Sequence, residues 1–256
     1  MNSQQGIHRV SHEIKRRKLE VLRVTDITPK MRRITLHGPD LTGFISLGTD
    51  DHVKLIFATT PEEQAALDSF VPGAPSDGPK PVMRDYTPRR YDSASGELDI
   101  DFVLHGDGPA ASWAEQAEPG QFLHIAGPRG SMIVPDIFDS YLLIGDETAL
   151  PAIARRLEEL PGHRNALVVV EVADQGEQQV FDSQAQVDVI WIVRGEQNLL
   201  DVTRRLEMPE GKLYAWVATE SGLSRKLRRV LLDEFGLEEE LVKAAGYWRI
   251  DGTDAE

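Results

Sequence analysis

The spacing of apolar and polar residues changes once along the chain, near Pro135 to Tyr141. Ahead of that point short runs alternate apolar with polar: Leu19 to Thr25, Arg32 to His37, His52 to Ala58, Arg84 to Arg90, Glu97 to Leu104 and Gln121 to Gly127. A strand points successive side chains to opposite faces, so a period of two marks a sheet with one buried face. Gly, Pro and Asp separate the runs. Six such strands and one helix predict a small closed barrel of Greek-key type. Beyond Tyr141, apolar runs at Tyr141 to Gly145, Ala166 to Val172, Val187 to Val193 and Lys212 to Ala218 alternate with helical spacing at Ala149 to Leu160, Asn198 to Leu206 and Leu223 to Phe235. That alternation predicts a parallel α/β sheet, in which ligands sit at the carboxyl ends of the strands. The expected fold class is thus β-barrel plus α/β, with a barrel domain over residues 15–135 and an α/β domain over 140–252. Thr60 to Lys80, rich in Pro and Gly, reads as a long loop with at most one helical turn at Glu62 to Leu67.

Composition narrows the chemistry. The 256 residues are 41% hydrophobic, enough for real cores. Cysteine is absent, which excludes disulfides, thiolate zinc sites, iron–sulfur clusters and a Cys nucleophile. Redox chemistry would need an organic cofactor or a metal held by other ligands. The seven histidines show no helical H-x-x-x-H pair, and only His8 and His12 are closely spaced, in a terminus expected to fray, so no metal site is predicted. A net charge of −14 argues against nucleic acid. The first twenty residues hold no apolar signal core and no later run reaches membrane-spanning length, so a cytoplasmic protein without membrane attachment is expected. On so acidic a chain, a local basic cluster carries information.

Arg84-Asp85-Tyr86-Thr87-Pro88-Arg89-Arg90 places an aromatic ring, a hydroxyl and three guanidiniums in a strand-length window. Alternation would set Arg84, Tyr86 and Pro88 on one face and Asp85, Thr87 and Arg89 on the other. Tyr86 can stack on an isoalloxazine ring, Thr87 can reach its N5 edge and an arginine can fork onto phosphate, so the mixture suits a flavin nucleotide. An edge strand with solvated charges has the same composition. Asp101 to Ala114 then runs from an alternating strand through His105-Gly106-Asp107-Gly108-Pro109 into a helix start, where the free N–H groups around Ala110 to Trp113 and the Ser112 hydroxyl suit an anion. A purely structural strand-turn-helix reads the same way. Gly127-Pro128-Arg129-Gly130-Ser131 is a tight basic turn. Gly145-Asp146-Glu147-Thr148 ends a buried strand, where Thr148 can cap a helix and Asp146 or Glu147 can meet a ribose or the flavin edge. It lacks the G-x-G-x-x-G pattern, so a standard dinucleotide turn is not expected.

Taken in order, Asp51 to Leu55, Arg84 to Arg89, His105 to Ala114, Gly127 to Ser131, Gly145 to Pro151 and the terminal Tyr247-Trp248 make the chain resemble the siderophore-interacting protein family of ferric-siderophore reductases, which are ferredoxin-reductase-like flavoenzymes. The resemblance implies an FAD-binding barrel, a nucleotide-binding α/β domain whose C-terminal segment returns towards the flavin, and NADPH or NADH as reductant, with NADPH favoured. It implies FAD and nucleotide contacts from Arg84, Tyr86, Thr87, Arg89, Asp101, Val103, His105, Ala110, Ser112, Trp113, Asp146, Thr148 and Ala149. A bulky anionic ferric siderophore, a catecholate above all, needs an open basic site, for which Lys54, Arg129 and Arg249 are the candidates; each also reads as a surface charge covering apolar area. Arg194 and Arg225 are the guanidiniums nearest a 2′-phosphate. No protein acid or base is obligatory, and a monomer is expected. Two other readings stay open: a siderophore-binding protein whose flavin is reduced by a partner such as a ferredoxin, and a general flavin reductase.

Overall fold

The computed structural model describes residues 6–58, 60–69, 81–106 and 108–250. Two compact units divide the chain, Met1–Val134 and Pro135–Glu256.

The first unit comprises β1 (His8–Ser11), β2 (Arg16–Thr28), β3 (Met31–His37), β4 (Val53–Phe57), α1 (Pro61–Ser69), β5 (Val82–Tyr86), β6 (Pro88–Asp92), β7 (Glu97–Val103), α2 (Pro109–Glu115), β8 (Phe122–Ala126) and β9 (Gly130–Ile133). Its main sheet has seven antiparallel strands in the order β5-β4-β8-β2-β3-β7-β6. The alternation read from sequence buries Leu19, Ile34, Leu36, Leu55, Leu98, Ile100, Leu123 and Ile125 in one core, covered by Ala110 and Ala114 of α2. Burial of such side chains contributes on the order of 2 kcal/mol each.

Three expectations are corrected. The sheet has seven strands rather than six, because the Arg84 to Arg90 run is two strands and not one. β5 pairs with β4 and β6 pairs with β7, so the two halves of this run form opposite edges of the sheet, and Thr87 alone joins them. Proline lacks an N–H, and Pro88 accordingly begins an edge strand. Second, the terminus expected to fray is a strand: β1 pairs antiparallel with β9, His8 opposite Ile133. Third, the expected single turn is the nine-residue helix α1, started by Thr60 Oγ1 accepting from Glu63 N at 3.1 Å and by Glu62 and Glu63 at the positive end of its dipole. The rest of that expected loop, residues 70–80, lies outside the described residues.

The second unit comprises β10 (Ser140–Asp146), α3 (Leu150–Glu159), β11 (Asn165–Val172), β12 (Gln186–Val193), α4 (Leu199–Thr203), β13 (Leu213–Glu220), α5 (Ser221–Arg229) and β14 (Val242–Trp248). All five strands are parallel, in the order β12-β11-β10-β13-β14. The chain starts at the centre, moves outwards to β12 and crosses back to β13, which places a topological switch point between β10 and β13. α4 starts at Asn198, whose Oδ1 accepts from Leu200 N and Asp201 N, and it ends three residues earlier than the spacing predicted. The segment expected to return towards the flavin is, over Val242–Trp248, the fifth strand of this sheet. Its small residues Ala244, Ala245 and Gly246 are only partly buried, so it lacks the apolar run that marks a central strand.

Candidate functional site

Candidate cofactor residues of the first unit gather around the seam at Thr87. Because β5 and β6 are both edges, each has one side of its backbone without a neighbouring strand among the described residues, and such edges offer N–H and C=O groups to a partner. The two-face alternation expected for Arg84 to Arg89 stops at the seam, where Thr87, Pro88 and Arg89 are all buried. The Tyr86 ring is half-buried and lies 4.6 Å from Phe102 at 35°. Burial pushes its phenol well above the usual 10, so the ring is neutral at physiological pH. Arg84 Nη1 donates to Met83 O at 2.7 Å. Arg89 is 8% exposed, with its Nε 3.9 Å from Asp101 Oδ2.

Asp101 itself is held by Arg33, whose Nε and Nη2 donate to its two oxygens at 2.6 and 2.8 Å. That bidentate pair makes Asp101 a buried brace behind Arg89 rather than an open hydrogen-bonding group. Arg90, the third guanidinium of the motif, is committed to Asp99 and Glu97 at 2.8 and 3.1 Å.

β7 ends at Val103, half-buried, and His105 is exposed beyond it. Gly106 has φ +64°, a conformation open to glycine. Asp107 lies outside the described residues. Gly108 is the N-cap of α2 and brings no side chain to its amides, with Pro109 in the first turn. Ala110 is buried and thus offers only its backbone, and Ser112 N donates to Gly108 O at 2.9 Å. The Trp113 ring sits 5.6 Å from Phe102 and 6.0 Å from Phe57. An aromatic with apolar backing, two open strand edges, a buried arginine and helix amides not capped by a side chain fit the donor and stacking needs of a flavin dinucleotide.

Of the candidate substrate residues, Lys54 and Arg129 belong to this unit. Lys54 pairs across β4 and β5 with Asp85, Nζ donating to both carboxylate oxygens at 2.9 and 3.1 Å. Arg129 is exposed, and among the described residues its guanidinium has no hydrogen-bond or ion-pair partner. The turn that presents it is braced from within: buried Arg17 donates from Nη1 to Gly127 O at 3.0 Å. Ser131 follows, and its buried hydroxyl donates to Asp51 Oδ2 at 2.6 Å while accepting from Leu47 N at 3.1 Å; His12 Nε2 lies 2.7 Å away. Asp51 also accepts from Ser46 Oγ and Gly48 N. Sequence reasoning assigned no role to Arg17, Asp51 or Ser131 beyond their motifs. The signal available was a charged or hydroxyl residue at an inward-facing position.

In the second unit Gly145, Asp146, Thr148 and Ala149 lie at the carboxyl end of β10, beside the switch point. A Cβ on Gly145 would stand 2.4 Å from Ala149 Cβ, so that close approach requires glycine. Asp146 is buried and already engaged: Oδ1 accepts from Thr148 N at 3.0 Å and Thr148 Oγ1 at 2.5 Å, and Oδ2 accepts from Trp248 Nε1 at 2.8 Å. Both carboxylate oxygens expected to meet a ribose or the flavin edge thus already accept hydrogen bonds within this unit. Desolvation holds its carboxyl above the ordinary carboxylate range despite those donors. Trp248 is 39% exposed and fixed at its indole N–H. Arg194 is committed to Glu147 Oε2 at 2.6 Å and Glu171 Oε1 at 3.1 Å, whereas Arg225 is exposed on α5. Arg249 follows β14.

An antiparallel seven-stranded unit followed by a five-stranded parallel unit is the fold of ferredoxin-reductase-like proteins. Residues 20–132 match the siderophore-interacting FAD-binding domain, and residues 138–251 match the siderophore-interacting protein model. The chain belongs to the siderophore-interacting protein family. It is 36% identical to the NADPH-dependent ferric-chelate reductase of Escherichia coli, over 94% of this chain and 95% of that one. It is 32% identical to the ferric vibriobactin reductase ViuB of Vibrio cholerae, over 94% and 93%. Among solved structures, a siderophore utilization protein from T. fusca superposes with a TM-score of 0.85 at 37% identity, covering 97% of this chain and 99% of that one.

Proposed function

We propose that this protein is an FAD-containing, NAD(P)H-dependent ferric-siderophore reductase that releases iron as Fe(II) in the cytoplasm and acts as a monomer. The observation that carries the reading is the seam at Thr87, where Tyr86, Thr87 and Arg89 meet at two open sheet edges within a domain whose family binds FAD. Both relatives named above are reductases of ferric chelates.

FAD held by Arg84, Tyr86, Thr87 and Arg89 would supply the coupling between a two-electron nicotinamide donor and one-electron Fe(III) acceptors. The protein supplies position and charge. Tyr86 gives the ring system a neutral stacking surface, Thr87 a hydroxyl and backbone at the seam, and Arg84 and Arg89 charge for the phosphates, with Asp101 fixed by Arg33 behind them. Val103, His105, Ala110, Ser112 and Trp113 continue that cofactor path, and Thr148 and Ala149 shape the turn at the reductant side. Arg129 is the main anchor for an anionic ferric catecholate, and Lys54, already neutralised by Asp85, is a weaker one; Arg249, in the second unit, is a further cationic candidate. NADPH is the preferred reductant by analogy with the Escherichia coli relative, and Arg225 is the guanidinium left for a 2′-phosphate, since Arg194 serves two glutamates.

Stopped-flow absorbance tests this reading. Bound flavin is expected to bleach on mixing with NADPH, more slowly with NADH, and to recover its colour with a ferric triscatecholate. Bleaching by neither nucleotide would transfer the assignment to a protein reduced by a partner such as a ferredoxin.

A further inference from the structure

Two guanidiniums where β1 pairs with β9, those of Arg9 and Arg129, have no hydrogen-bond or ion-pair partner among the described residues. Resting on the ferric-chelate reading and deepening it, we infer that Arg9 is a further substrate-binding residue, which joins Arg129 in holding a multiply anionic ferric catecholate.

β1 and β9 run antiparallel, with Arg9 opposite Met132 and Ser11 opposite Gly130. The ladder continues beyond β1, because His12 N donates to Arg129 O at 2.9 Å. Arg129 therefore stands three positions from Arg9, about 10 Å of strand, a span that one bulky chelate can bridge. Gly130 is the point of close approach. A Cβ there would lie 2.6 Å from Val10 O and 3.4 Å from Arg9 Nε, so the Arg9 side chain lies over the bare backbone of Gly130, next in sequence to Arg129.

Charge makes this placement informative. The chain has 42 Asp and Glu against 28 Lys and Arg, so carboxylate partners are plentiful. Arg23, Arg32, Arg33, Arg90, Arg164 and Arg194 each have one at 2.6 to 2.8 Å. Exposed Arg9 has none among the described residues, and neither β1 nor β9 carries an acidic residue. The acids close by are already engaged. Glu13 pairs with Lys15 at 3.2 Å, and buried Asp51 accepts from Ser131, Ser46 and Gly48. A net charge of −14 repels an anionic substrate, but salt screens charges beyond about 8 to 10 Å, so the local pair of cations decides whether the chelate is held.

Arginine also suits the chemistry of the ligand. Its planar fork donates to two oxygens at once and stacks on aromatic faces, and a ferric triscatecholate offers both catechol oxygens and ring faces. Leu47, 53% exposed, adds apolar surface beside the same strand, where its N–H donates to Ser131 Oγ at 3.1 Å. Cations next to apolar surface match the outside of a catecholate complex better than they match a small inorganic anion.

Binding of gallium(III) triscatecholate, which flavin does not reduce, to the oxidised holoprotein separates recognition from electron transfer, and KM for the ferric complex is read beside it. Arg9→Ala, Arg9→Lys and Arg9→Glu alter an exposed side chain, with Arg129→Ala as the reference; flavin content and circular dichroism check that each is folded. Arg9→Ala is expected to raise Kd and KM about two- to fivefold at low salt, and Arg9→Glu to raise them further. Arg9→Lys should keep most of the affinity, and high salt should shrink every difference. A neutral ferric chelate should show no change. Unchanged Kd in Arg9→Ala and Arg9→Glu, with Arg129→Ala weakened, overturns the role of Arg9 and leaves the reading beneath it standing. Equal losses on charged and neutral chelates overturn it too, since they would mean that β1 serves the fold. No loss in any variant, Arg129→Ala included, overturns the anionic-chelate reading and the role of Arg9 with it.

Discussion

The two candidate regions differ in what their polar groups already do. In the antiparallel unit, Thr87 lies between two sheet edges, the Tyr86 ring is backed by Phe102, and Arg129, in the turn before β9, has no ion-pair partner among the described residues. At the carboxyl end of β10, Asp146 accepts three hydrogen bonds, Arg194 bridges two glutamates and Gly145 is sealed against Ala149. A polar group whose bonds are made within the protein fixes shape, and one left open recognises a ligand. The first region should therefore respond to mutation mainly through ligand affinity, the second mainly through stability.

Gly145→Ala gives the largest expected effect. The new methyl meets Ala149 Cβ and the Ala218 carbonyl, and overpacking of this kind costs about 1–3 kcal/mol. Urea denaturation should show a lowered midpoint. A midpoint equal to wild type would break the claim that this turn is a frame.

Tyr86→Ala should weaken FAD by on the order of 1 kcal/mol, roughly fivefold in Kd, through lost stacking. Flavin titration reads the loss. If the variant instead loses as much stability as Gly145→Ala and keeps its FAD affinity, the contrast between the regions is reversed.

Arg129→Ala should slow reduction of a ferric triscatecholate about two- to fivefold at low salt, with flavin content and NADPH-driven bleaching unchanged. Lys54→Ala should do less, because Asp85 already offsets its charge. A neutral ferric chelate should show neither effect, and high salt should shrink both. Equal losses on charged and neutral chelates would mean that these residues serve the fold.

The smallest effect lies in pH dependence. The Asp146 carboxyl titrates above its ordinary 3.8 in the folded protein, so the native state keeps this proton at a pH where the unfolded chain has released it. Its contribution is full below the unfolded value and is lost as pH rises through the native one. Asp146→Asn should flatten the decline in stability that begins above pH 3.8. Melting curves of both proteins across that range decide it: an undiminished slope in the variant would assign the dependence to other groups.

Period-two alternation and the switch to buried runs with amphipathic helices made the fold class legible in the sequence, and the lack of cysteine left redox chemistry to an organic cofactor or a metal held by other ligands. These are local signals, carried by residues a few positions apart. Pairings between distant segments were out of reach. Thr87 as a seam depends on β5 and β6 reaching opposite edges of one sheet, and nothing within Arg84 to Arg90 records its neighbours. Ser131 meets Asp51 across 80 positions and Trp248 meets Asp146 across 102. Which side chains face each other across a sheet is set by register, and one residue of slip would turn each of them to the other face. Sequence therefore determined the elements and the kinds of residue they carry, and tertiary pairing decided which arginine, aspartate and tryptophan are bonded within the protein.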